Sequence, residues 1–186
     1  MAVDTIKVIG LVDEAQFTIG KLYLWILILS LLLVAQYTIT LYGVTMRARI
    51  AVMRGNHMKK FLEEHKRAFP DTRPPEFGYP DVGSGRFAKA LPYADWFRFN
   101  NGQRCQINFL EHLTYALVGP LIVGLVYPHT AAVFAIMIAV GRLLFTIGYS
   151  TGGPNRRIAG ALIMDVALLA MFGYICVMGW NKLKGQ

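Results

Sequence analysis

"LYLWILILSLLLVAQYTITLYGVTM", residues 22–46, carries no charged side chain over 25 positions. A helix of that length spans roughly 30 Å of hydrocarbon, where an unpaired backbone amide finds no water, so the segment reads as a membrane helix. With the first helix at about 20–46, three more apolar stretches follow at about 105–127, 130–149 and 158–180. An apolar fraction of 55% fits a membrane class better than a soluble domain. None of the four stretches alternates apolar and polar residues over the roughly ten positions of a membrane β-strand. The expected architecture is all-α, an up-down bundle of four transmembrane helices making one membrane domain over residues 1–186.

Charge orients that bundle. The 47–104 connection and the 150–157 turn share 14 Lys and Arg residues, whereas the two terminal segments hold four and Pro128-His129 none. Cytoplasmic loops carry such an excess, so the long connection is placed on the cytoplasmic side. The formal charge of +8 is thereby assigned to topology. Nucleic acid is excluded as a partner, because no recognition motif accompanies the charge. Asp4, Asp13 and Glu14 outnumber Lys7 ahead of the first helix, the wrong balance for a cleavable signal, and the helix is expected to act as its own anchor. Cys105 and Cys176 fall near opposite membrane faces, beyond the Cα separation of about 7 Å that a disulfide tolerates, so both are expected as free thiols. No metal site is expected.

The long connection divides in two. "RARIAVMRGNHMKKFLEEHKRAF", residues 47–69, is expected to continue the first helix into water. Residues 70–97 are expected to be an irregular cytoplasmic loop, because residues 70–95 hold five of the eight prolines. Phe77, Tyr79, Phe87, Tyr93 and Trp96 give that loop an aromatic character suited to docking. Pro154 is expected to open the fourth helix, where its missing N–H costs nothing.

"RCQINFLEH", residues 104–112, puts polar groups where lipid should begin. At about 100° per residue, Arg104, Asn108 and Glu111 share one helical stripe with His112 at its edge, while Gln106 takes the opposite face. Glu111, Arg142 and Asp165 lie at matching depth, about 10 Å from the basic side at 1.5 Å per residue. Buried ionisable groups cost several kcal/mol unless paired or hydrated, so Glu111 and Arg142 are expected within salt-bridge range. Arg142, Phe145 and Tyr149 make a second stripe on the third span. With Arg47, Arg49, Arg156 and Arg157 at the adjoining helix ends, the pattern suits an anionic, water-soluble ligand in a cleft at the cytoplasmic membrane face.

These motifs carry a family likeness. "RCQINFLEH" fits R-x-x-x-N-x-x-E, and "GRLLFTIGYSTGGPNRRIAGAL", residues 141–162, fits G-R-x-x-[YF]-x-x-G-Y followed by a basic turn. Together they resemble the membrane-associated proteins in eicosanoid and glutathione metabolism, the MAPEG family, over about residues 98–180. The resemblance implies a MAPEG-like homotrimer with glutathione, the co-substrate, bound between neighbouring subunits near the cytosolic face. Arg104, Asn108, Glu111, His112, Arg142, Phe145, Tyr149 and Arg156 would then form the glutathione cradle, with Gln106 serving the neighbour's site. Arg forks bind both glutathione carboxylates, and a nearby Arg lowers the thiol pKa. By resemblance that catalytic role falls to Arg49 or Arg47, with Arg49 preferred.

The implied activity is conjugation of glutathione to lipophilic electrophiles or reduction of lipid hydroperoxides. The competing expectations are a non-catalytic accessory subunit of a larger membrane assembly, such as a mitochondrial respiratory one, and a non-catalytic lipid-binding member. The implied membrane is the endoplasmic reticulum, with a mitochondrial membrane as the alternative. Three departures from the family pattern bear on activity: Phe145 in place of Tyr, Ala48 between the two arginines, and an unusually long connection from Arg49 to Arg104.

Overall fold

The computed structural model describes residues 16–73 and 81–184. Phe77 and Tyr79, two of the aromatics assigned to docking, lie outside the described residues. The first span is built from α1 (Gln16–Ile39), a π-helical run (Thr40–Met46) and α2 (Arg47–Val52). Next come α3 (Gly55–Ala68), the short α4 (Arg86–Lys89), α5 (Tyr93–Gly124), α6 (Pro128–Gly152) and α7 (Ile158–Leu183). Four of these helices are long and apolar enough to cross a membrane: Gly20–Val52, Tyr93–Gly124, Pro128–Gly152 and Ile158–Asn181. Their outward apolar side chains stay accessible, Leu31 at 69% and Leu169 at 72%. That surface suits contact with acyl chains. Two hydroxyls in the first span satisfy themselves locally: Ser30 donates to the Ile26 carbonyl at 2.9 Å and Thr40 to that of Gln36 at 2.8 Å.

The helix expected through 47–69 breaks. Met53 leaves helical geometry (φ −90°, ψ 54°) and Gly55 takes φ +55°, a left-handed backbone that glycine adopts without Cβ strain. The segment expected to be irregular up to residue 97 also gains structure, since α5 begins at Tyr93 instead of near 105. Pro92 starts it by accepting the amides of Asp95 and Trp96 at 3.1 and 2.9 Å. Nor does Pro154 open the fourth helix. The Arg156 amide closes a turn on the Gly153 carbonyl at 3.2 Å, with Pro154 at the turn position that its fixed φ favours, and α7 starts at Ile158.

The chain forms two compact units, each drawing on all four spans. One unit comprises residues 1–33, 114–140 and 163–186. Its described part packs small residues closely: Gly124 faces Ile26 and Tyr23, Gly119 faces Met171, and Tyr127 and Phe134 both meet the Tyr174 ring. Small residues of this kind let membrane helices approach where hydrophobicity drives nothing. Asp165 belongs to this unit.

The other unit comprises residues 34–113 and 141–162, and it carries a water-side core. Met53, Met58, Ala88 and Phe99 are buried together, with Phe61, Leu62 and Trp96 against them. Asp81 organises the return of the chain: its carboxylate accepts from the amides of Gly83, Gly85 and Ala88 at 2.9, 2.9 and 2.8 Å. Burial pushes the Asp81 carboxyl up, but the backbone donors outweigh it and hold it below its ordinary value. Trp96 Nε1 donates to the Gly83 carbonyl at 2.6 Å, and His57 Nε2 to that of Phe87 at 3.0 Å. The described part of the long connection is therefore held by its own core.

Candidate functional site

On α5 the residues Arg104, Ile107, Asn108 and Glu111 recur at helical spacing and form one wall of a cleft of about 230 Å³. Tyr149, near the end of α6, and Arg157, in the turn beyond it, complete the lining. Arg104 and Glu111 are exposed, whereas Tyr149 is buried but for its edge at 8%. The cleft thus offers two guanidinium groups, a carboxylate, an amide and a phenol beside an open mouth.

Behind it lies an alternating stack. Arg142, 1% exposed, sits with its guanidinium carbon 4.5 Å from the Phe109 ring centre and 4.9 Å from that of Phe145. Arg157 covers the Phe145 and Tyr149 rings, 5.5 Å from each. A desolvated guanidinium over an aromatic face gains about 2 kcal/mol, which offsets part of the cost of burying Arg142. Its Nη1 also donates to Asn108 Oδ1 at 3.0 Å. Among the described residues no salt bridge joins Glu111 to Arg142, contrary to expectation: Glu111 opens onto the cleft, and Asn108 is one of the groups that receive the guanidinium. Matching depth did not bring the two charges together, because the stripe turns Asn108 toward α6 and Glu111 toward the mouth.

Glycines set the backbone of this region. A Cβ on Gly160 would overlap the Phe145 amide and the Gly141 carbonyl, and one on Gly148 would overlap the Arg156 carbonyl. Gly153 (φ +75°) accepts the turn, and its amide reaches the Tyr149 carbonyl at 3.0 Å. This turn aims Arg157 at the cleft, while Arg156 is exposed outside its lining. The family resemblance implied Arg156 for the cradle and left Arg157 among the basic groups at the helix ends, whereas it is Arg157 that lines this cleft. The available signal was the position of Arg157 just before α7, but only the turn geometry decides between neighbours.

The other expected residues are dispersed. His112 donates its Nδ1–H to the Asn108 carbonyl at 2.8 Å, Gln106 is half-buried and off the lining, and Phe145 is buried inside the stack. Arg47 is exposed at the end of the first span. Arg49 is partly buried with the Asp81 carboxylate in Coulombic reach. Thr45 ties this end to α5 by donating to the Gly102 carbonyl at 2.8 Å.

A model of the MAPEG family matches residues 22–177. The chain is a MAPEG protein. Membership extends the likeness from the two motifs to nearly the whole chain, including the first span. This MAPEG protein is an integral, multi-pass four-helix membrane protein in contact with the bilayer, and its family acts in eicosanoid and glutathione metabolism. No solved structure matches the chain. Among the described residues no cluster of His, Cys, Asp and Glu could hold a metal ion.

Proposed function

We propose that this MAPEG protein is a glutathione transferase and peroxidase of the microsomal glutathione S-transferase 3 type, working in the endoplasmic reticulum membrane. The observation that carries the reading is the cleft that gathers Arg104, Arg157, Glu111, Asn108 and Tyr149 in one lining. Glutathione presents two carboxylates and one ammonium, and this charge set complements it. The arginine forks take the carboxylates, and Glu111 takes the ammonium. A volume near 230 Å³ falls below the roughly 300–1,000 Å³ of most small-molecule sites, which accords with a neighbouring subunit supplying the remaining wall. Gln106, turned from the cleft of its own subunit, suits that contribution.

The reacting thiol must lose its proton to water, and a cation beside the sulfur favours the thiolate. Arg47 suits this role better than Arg49, because a guanidinium that already faces Asp81 stabilises a second anion less. The thiolate then attacks the lipophilic electrophile, forming a carbon–sulfur bond as the leaving group departs. With a hydroperoxide, two glutathione molecules supply the electrons and leave as the disulfide, while the hydroperoxide becomes an alcohol and water.

Calorimetric titration of the detergent-extracted protein with glutathione tests binding. Ultraviolet titration of the bound thiol tests activation. Saturable binding with a thiol pKa below that of free glutathione is expected. A bound thiol no more acidic than the free one would remove the catalytic reading.

A further inference from the structure

We infer that the outer face of α3 is a binding surface for anionic phospholipid headgroups of the bilayer that holds the protein. Helix α3 (Gly55–Ala68) starts three residues beyond the end of the first span at Val52. At about 100° per residue, Met58, Phe61, Leu62 and His65 share one arc, and three of them pack into the water-side core. Lys59, Lys60, Lys66 and Arg67 fall on the opposite arc, within about 120° of one another, and all four are exposed. Topology alone requires basic residues on this side of the membrane, but it does not require them to be sorted onto one helix face.

Two features make that face a partner site. Its charge is little cancelled: Glu63 alone of the acids shares the arc, and Glu64 is held by Arg86 on the other side. Among the described residues, Lys59, Lys60, Lys66 and Arg67 form no ion pair. The helix is also fixed in place. Its buried Met58 packs with Met53 and Phe99, which flank the ends of the first two spans. Its tether to Val52, the end of the first span, puts it within reach of the bilayer's negative surface potential, which decays over about 10 Å. Four or more basic groups presented there attract acidic headgroups. The apolar face is already occupied, so the attraction acts through charge and not through insertion of the helix.

The experiment is spin-label electron paramagnetic resonance on the full chain reconstituted in phosphatidylcholine. It compares the motionally restricted fraction of spin-labelled phosphatidylglycerol with that of spin-labelled phosphatidylcholine. The expected result is a several-fold preference for phosphatidylglycerol that falls as salt is raised. Combining Lys59→Gln, Lys60→Gln, Lys66→Gln and Arg67→Gln should remove most of it. The pairs Lys59→Gln/Lys60→Gln and Lys66→Gln/Arg67→Gln should each remove part, which keeps the test open if the fourfold variant does not fold. Equal restriction of both lipids by the native chain would overturn the inference and leave the face to an acidic protein. A preference unchanged in the variants would also overturn it, by assigning the selectivity to other cations.

Discussion

Asn108 and Glu111 stand one helical turn apart on α5 and do different work. Asn108 accepts from the buried Arg142, whereas Glu111 faces the cleft mouth. Removing a hydrogen bond to a buried charge costs about 1.5–3 kcal/mol, so Asn108→Ala should lower the unfolding temperature in detergent clearly. Glu111→Ala should cost less than about 1 kcal/mol, as exposed charges do, and should show its effect in glutathione affinity instead. Equal destabilisation by the two substitutions would contradict this division. The neighbouring arginines offer a second contrast. Arg157→Ala should weaken glutathione binding ten- to a hundredfold in calorimetry, the equivalent of about 1.5–3 kcal/mol, while Arg156→Ala should change it far less. The reverse order would favour Arg156, the residue that the family resemblance implies.

The return of the chain over residues 81–92 rests on one carboxylate. Asp81 is held below its ordinary value, so its ionisation stabilises the folded turn at any pH above the unfolded carboxyl value of about 3.9. That contribution disappears as the pH falls through the lower folded value. Protease sensitivity of residues 81–92 should therefore be flat near neutrality and rise only in strong acid. Asp81→Asn offers one acceptor oxygen to donors on both sides, so it should open the segment at neutral pH and lose the acid dependence. Much of this element was hidden in the sequence. Apolar positions 50, 53, 58, 61 and 62 mimic one long helix, and only Gly55 marks where it breaks. Hydropathy likewise reported where α5 enters lipid, not where its helix begins, because Arg98, Asn100, Asn101 and Gln103 are polar yet helical. The stripe of Arg104, Asn108 and Glu111 was legible because 3.6-residue periodicity fixes which residues share a face. The partner of Arg142 was not, since periodicity within a helix says nothing of its rotation against another.

At the scale of the whole chain, the proposed function requires a neighbouring subunit to close the open cleft. If the site is shared, the extracted protein should have a native mass near three times its 20.8 kDa, and dissociation into monomers should abolish glutathione binding. Monomers that bind glutathione with unchanged affinity would confine the site to one subunit. Arg104 is exposed and Arg157 partly so, and if they bind the glutathione carboxylates the affinity should also weaken with ionic strength. Calorimetry at low and high salt checks this, and an affinity insensitive to salt would exclude recognition led by the two arginines.

The π-helical run Thr40–Met46 has a consequence for how related chains are compared. Each of its turns closes i to i+5 and holds about one residue more than an α turn, so the run absorbs roughly one extra residue without rotating α2 beyond it. A relative with plain α-helix there would be one residue shorter before its terminal arginine. An alignment without a gap would then slide by one, and Arg47-Ala48-Arg49 is the place where such a slip hides. The same property makes the first span forgiving at one spot alone. Deleting Gly43, whose surroundings hold only the Ile39 methyl at 3.8 Å, should leave glutathione binding nearly intact. Deleting Leu31 from α1 should swing every preceding side chain by about 100° and destroy the packing of Ile26. Inheritance by insertion and deletion is thus permitted at the π run and closed in the helix before it.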